Sequence, residues 1–174
     1  MTAEERIFSI VRGGLYAKLP SLALPLGRLT CREGDVDPAG TDGEAAVFAP
    51  GLLRREFLAE SDLPERLTLH LLLHLMLGHP WGRQGRARAL WDTACDLAVG
   101  LVRHALLPQE PETPAAFSAR CKLQARRAVR APAIYALLLE QPDALTAEEQ
   151  AAFHLDDKSE GQAVLGRQVS DATP

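Results

Sequence analysis

The sequence predicts an α+β fold that is mainly α-helical, with a small β-hairpin or short sheet. Apolar residues recur at helical spacing over most of the chain, and Thr, Asp, Pro and Gly punctuate those runs as caps and stops. The one stretch rich in Gly, Asp and Pro, CREGDVDPAGTDGEAAVFAPG, encloses a brief apolar run and reads as loop, short strand, loop. A chain of 174 residues buries most of its apolar surface as one domain without staples. Residues 1–157 are expected to form that domain and residues 158–174 a polar tail or truncated linker, because the pattern ends there.

In order along the chain, AEERIFSIVRGGLYAKL predicts a first helix with Thr2 as its cap, on Ile7, Ile10, Val11, Leu15 and Leu19. LPSLALPLGRL follows as a short helical segment punctuated by Pro20 and Pro25. A strand is expected over Ala45–Phe48. Asp62, Pro64 and Glu65 mark the start of a helix that Gly78 and Pro80 stop. A basic loop, HPWGRQGRAR, read as mobile, leads to the apolar helix ALWDTACDLAVGLVRHALL and the linker PQEPETP. One or two helices around Pro132 come next, and TAEE (146–149) matches a capping box for a short last helix.

The formal charge of -4 gives no general attraction to nucleic acid or to anionic lipid. Arg120, Lys122, Arg126, Arg127 and Arg130 form a local basic cluster without interleaved aromatics. That pattern fits a solvated face or a docking surface for an acidic partner better than a nucleic-acid site. The longest apolar run, LTLHLLLHLMLG, has 12 residues and two histidines, against the roughly 20 a bilayer span requires. The N-terminus has acidic residues directly after Met1 and no signal-peptide pattern. Three cysteines at irregular spacings form neither a paired scaffold nor a CxxC zinc site. The expectation is a cytoplasmic protein that binds neither membrane nor nucleic acid; the sequence is silent on oligomeric state.

The unusual chemistry lies in HLLLHLMLGHP (70–80). His70 and His74 are four apart and share a helical face, so two imidazole nitrogens can be aimed at one point, as in zinc-binding helices. A tetrahedral site needs more donors, and His79 stands just past the glycine stop, where the chain can fold back toward that point. Asp92 and Asp96 lie 18 and 22 positions after His74 on the following helix and again share a face. An antiparallel helical pair can bring either carboxylate to the imidazoles, as a ligand or as a partner to a ligand's second N–H. Unpartnered burial of these five polar groups would cost about 1–3 kcal/mol each. A metal-free hydrogen-bonded cluster is the competing reading. His104 and His154 are read as structural or exposed, and Cys95 as a small buried hydrophobe.

In an HExxH helix the Glu after the first His takes the proton of metal-bound water. Here that position is Leu71, and losing general-base help forfeits about 10²–10⁴ in rate. Asp92, Asp96, Glu44 and Glu65 are the acids that could substitute. Glu65 is the weakest of them, five positions before His70 and about 7 Å along the same helix.

HLLLHLMLGHP followed by LWDTACDLAVG resembles the zincin-like metallopeptidase domain that stands in front of von Willebrand factor A-like domains in bacterial proteins whose relatives act with MoxR-type AAA ATPases. That family shows H-E-x-x-H-x-x-x-x-H and then W-N/D-x-A-x-D, and a subset replaces the Glu by an apolar residue, as Leu71 does here. GTDGEAAVFAP is similar to its T-D-G stretch, and the resemblance runs from about Ile7 to Asp157. It implies zinc as cofactor, His70, His74 and His79 as ligands, Asp96 as fourth ligand or supporting acid, and a MoxR-type ATPase or A-like domain as protein partner. Two departures stand out. The Glu is absent, and Lys158 stands where the family closes its first domain with an acidic pair followed by His. The chain also ends where longer relatives continue, as a separately encoded or truncated first domain would. The expected function is a metal-binding pseudoenzyme acting as an interaction module. An active metal-dependent hydrolase with a substitute carboxylate and a metal-free helical scaffold are the alternatives.

Overall fold

The computed structural model describes residues 2–107, 113–123 and 129–154. Most of the PQEPETP linker, Arg126 and Arg127 of the basic cluster, and the 158–174 tail lie outside the described residues. The fold is α+β and mainly helical, with one small three-stranded sheet among the described residues. The described chain divides into a unit that runs to Trp81 and a second that begins at Gly82.

In the first unit, α1 (Ala3–Lys18) opens with a full capping box: Thr2 Oγ1 accepts the Glu5 N–H at 3.1 Å, and the Thr2 N–H donates to the Glu5 carboxylate at 2.7 Å. Its core face is Ile7, Phe8, Val11 and Leu15, whereas Ile10, part of the expected stripe, is exposed. Gly14 lies in the body of α1 because the Glu65 carboxylate comes against it, where a Cβ would collide. Glu65 pairs there with Lys18 of α1. A 3₁₀ turn (Pro20–Leu22) and α2 (Ala23–Arg28) follow, as the two prolines predict.

The sheet comprises β1 (Thr30–Glu33), β2 (Ala39–Thr41) and β3 (Ala45–Phe48) in the order β1-β3-β2. β3 is parallel to β1, with Thr30 opposite Ala45, and antiparallel to β2, with Thr41 opposite Ala46. The T-D-G stretch is the turn between β2 and β3. Asp42 Oδ1 accepts the N–H groups of Glu44 (2.9 Å) and Ala45 (2.8 Å), Thr41 Oγ1 donates to the Ala45 carbonyl at 2.8 Å, and Gly43 takes φ +96. Burial opposes ionisation of Asp42, but the Ala45 and Glu44 N–H groups and the Arg32 guanidinium outweigh it and hold its carboxyl below the ordinary range.

After Gly51 (φ +71), α3 (Leu52–Leu58) leads to α4 (Leu63–Met76), the histidine helix. Asp62 occupies the N-cap position of α4 but makes no side-chain cap bond; Ser61 Oγ instead accepts the Leu63 N–H at 3.1 Å. α4 packs against α1, α2, α3, β2 and β3. Being surrounded, it is apolar all round rather than along one stripe, with Leu67, Leu69, Leu71, Leu72 and Leu73 all buried.

In the second unit, α5 (Arg88–Leu106) packs against α6 (Thr113–Arg120), α7 (Ala131–Glu140, with Pro132 in its first turn) and α8 (Ala147–Phe153). The core between them includes Trp91, Leu97, Phe117, Ile134, Leu137 and Phe153, and Cys95 is buried there as the sequence suggests. The basic loop before α5 is tied down by Arg86, whose guanidinium stacks over Trp91 and Tyr135 and donates to the Gly82 carbonyl at 2.8 Å. Among the described residues, no helix is long and apolar enough to cross a membrane.

Candidate metal centre

His70 and His74 lie one turn apart on α4 and are 0% and 3% exposed. Their Nε2 atoms are 3.0 Å apart and their rings are tilted, with centroids 4.6 Å apart. On a tetrahedral ion with metal–nitrogen bonds of about 2.0–2.1 Å, two such nitrogens stand about 3.3 Å apart. A divalent cation therefore fits between these two nitrogens with a shift of a few tenths of an ångström. Both imidazoles offer a nitrogen donor suited to a transition metal.

α4 ends as its sequence predicts. Gly78 adopts φ +71, and the chain turns into a 3₁₀ segment (His79–Trp81) that packs back on α4. His79 is buried, and its Nδ1 lies 3.1 Å from Nδ1 of His74. His79 thus meets the ring nitrogen of His74 opposite to the one facing His70, so that the three imidazoles form a row. A neutral His74 carries one N–H, so it donates to one neighbour and accepts from the other. Trp81, at the end of this turn, lies over Gly43, where a Cβ would stand 3.2 Å from the indole ring. The T-D-G turn is thereby fixed beside the segment that carries His79.

On α5 the two aspartates differ. The Asp96 side chain is 4% exposed, and its Oδ2 accepts from Nδ1 of His154 at 2.9 Å. Asp92 sits one turn earlier beside Arg88, with Nε 3.6 Å from its carboxylate. His154 is exposed, as one of the two sequence readings has it, but its contact with Asp96 was not foreseen. It follows α8 directly, and no local pattern relates it to a helix more than fifty residues earlier.

The acids that could stand in for the missing Glu are accounted for individually. Leu71 itself is fully buried. Glu65 is held by Lys18, Asp92 lies beside Arg88, Asp96 is held by His154, and Glu44 is exposed on the β2–β3 turn.

No curated protein and no solved structure matches the chain. A family model does, and its span includes the T-D-G turn, the histidine helix and the aspartates of α5. Its description implies a metal cofactor, which the imidazole pair of α4 can accept. Residues 13–171 match the family described as "Putative metallopeptidase domain", and the chain belongs to that family.

Proposed function

We propose that the protein is a divalent-metal-binding, metallopeptidase-like module that has lost efficient hydrolysis and acts by recognition. The observation that carries this is the His70–His74 pair: two imidazoles buried in a leucine-rich helix with their Nε2 atoms 3.0 Å apart. Zinc is the proposed ion, on His70, His74 and His79, with Asp96 in support. His79 and Asp96 join the set on their spacing in the chain and on the resemblance to the HxxxHxxxxH and WDxAxD motifs. With an ion on Nε2 of His74, the proton of that ring resides on Nδ1 and is donated to Nδ1 of His79. A neutral His79 that accepts there carries its own proton on Nε2, so to bind the ion it must give up this contact with His74.

When bound, the ion supplies Lewis acidity and lowers the pKa of a bound water. Using such a water needs a base beside it, and Leu71 supplies none. The chain is therefore assigned to the subset of its family without the catalytic Glu. The proposed partner is a MoxR-type AAA ATPase or a von Willebrand factor A-like domain, and the proposed compartment is the cytoplasm. Elemental analysis of protein purified without added metal tests the reading. About one zinc per chain is expected, with no cleavage of unstructured peptides by the loaded protein. A stoichiometry near zero for every transition metal overturns the metal centre, and cleavage that disappears on chelation restores the active-hydrolase alternative.

A further inference from the structure

We infer that His154 is a positioning residue: it fixes the carboxylate of Asp96 for metal binding, and α8 is the device that delivers it. This rests on the proposed role of Asp96 at the metal.

The delivery is built from α5 outward. Asp96 and Gly100 are four apart and share a face of α5. At Gly100 a Cβ would stand 2.5 Å from the Phe153 ring, so the absence of a side chain lets that ring lie directly on the helix. Phe153 is buried there, edge-on to Phe117 at 5.9 Å. The next residue is His154. It terminates α8, its N–H donates to the Gln150 carbonyl at 3.2 Å, and its Nδ1 reaches Asp96 Oδ2 at 2.9 Å.

The other end of α8 is anchored as firmly. Thr146 and Glu149 form a capping box, and Arg120 donates to both Glu149 oxygens at 2.7 Å and to the Ala144 carbonyl at 2.9 Å. Gln150 reaches Thr93 on α5 at 3.4 Å. A short helix thus carries three separate ties that set where its last residue falls.

An ionised carboxylate only accepts hydrogen bonds, so Nδ1 of His154 carries the proton and donates. Holding Oδ2 sets the plane of the carboxylate and with it the direction in which Oδ1 is presented. Outer partners of metal ligands perform this task, and their loss typically weakens metal binding 10–100-fold. The His154 side chain is 56% exposed, so the same contact adds little to folding stability. The two roles are therefore separable by measurement.

Zinc affinity of the full chain is measured by competition with a chromophoric chelator, alongside the melting temperature of the zinc-free protein. His154→Ala is expected to bind zinc about 10–100-fold more weakly while the zinc-free melting temperature moves by no more than about 2 °C. His154→Asn, whose amide nitrogen can stand where Nδ1 stands, is expected to recover most of the affinity. Affinity of His154→Ala within twofold of the unaltered chain overturns the inference, as does equal loss in His154→Asn or a zinc-free melting temperature that falls with the affinity. The His70→Ala/His74→Ala double variant separates the two claims. If it loses zinc while His154→Ala keeps it, only the role of His154 fails; if it binds zinc as the unaltered chain does, the metal centre fails and His154 with it.

Discussion

Helices α4 and α5 each carry a polar pair four residues apart, and the two pairs are treated differently. On α4 both members are buried and meet each other, with His79 following within five residues of His74. On α5 only Asp96 is buried deeply; Asp92 remains beside Arg88 one turn away. Helical periodicity and a glycine stop assemble the α4 group from a single short segment. Asp96 instead depends on His154, 58 positions later, and so on the docking of α8. An i,i+4 spacing places two side chains on one face, while burial and partners decide which of them can do chemistry.

The largest effect is expected at the histidines. The His70→Ala/His74→Ala variant is expected to retain less than about a tenth of the bound zinc. At zinc concentrations near 100 times Kd, binding adds about 2.7 kcal/mol to stability. That corresponds to a melting temperature about 5–10 °C higher for a chain of this size. The variant should lose that increment, and chelation of the unaltered protein should remove it too. A zinc-dependent increment that survives in the variant would place the ion elsewhere.

The α5 side is tested by its packing. Gly100→Ala drives a methyl group into the Phe153 ring, where a Cβ would stand 2.5 Å away, and overpacking of this kind costs about 1–3 kcal/mol. Chemical denaturation measures it. Because Gly100 lies on the same face as Asp96, the variant should also weaken zinc binding, whereas a matched change far from α8 should alter stability alone.

These two cases mark where the sequence was readable. The grouping of the three histidines was legible because it lies within ten residues: a 3.6-residue repeat, then Gly78 in the left-handed region, then His79; their arrangement as a row was not, since His79 was expected at the same point as the pair and instead meets the far nitrogen of His74. The cap at Thr2, the capping box at Thr146 and the strand Ala45–Phe48 were legible for the same reason. β1 and β2 were not, since Thr30–Glu33 and Ala39–Thr41 show no apolar alternation and become strands only by pairing with β3. Gly14 and Gly100 lie in the bodies of helices, where glycine costs stability, yet each makes room for a side chain from a distant element. The contact of His154 with Asp96 was invisible because the two residues are 58 positions apart.

A smaller effect sharpens the α4 side. Asp42 holds the turn that Trp81 covers, so Asp42→Ala removes the acceptor of two backbone N–H groups and the partner of Arg32. A loss of about 1–2 kcal/mol is expected. Amide hydrogen exchange should rise locally at Glu44 and Ala45. Protection unchanged at those amides would mean that the turn is held by β2–β3 pairing and Thr41 rather than by Asp42.

The smallest effect concerns the anchor of α8. The Arg120 side chain, followed by the Thr146 N–H, holds the Glu149 carboxyl below its ordinary range. A carboxylate whose folded pKa is depressed stabilises the fold above its unfolded pKa, near 4.3. That contribution disappears as pH falls through the lower folded value. Arg120 is pushed upward by the same contact and stays charged throughout this window, so Glu149 alone sets the sign. Because Arg120 is about half exposed, the contribution is about 0.2–1 kcal/mol. Other carboxylates titrate over the same range, so the informative quantity is the melting-temperature difference between the unaltered chain and Glu149→Gln, measured at pH 7 and again near pH 3. The difference should favour the unaltered chain by about 1–3 °C at neutral pH and shrink on acidification. If it is the same at both pH values, the ion pair contributes nothing, and α8 is held by Phe153 on Gly100 and by its capping hydroxyl.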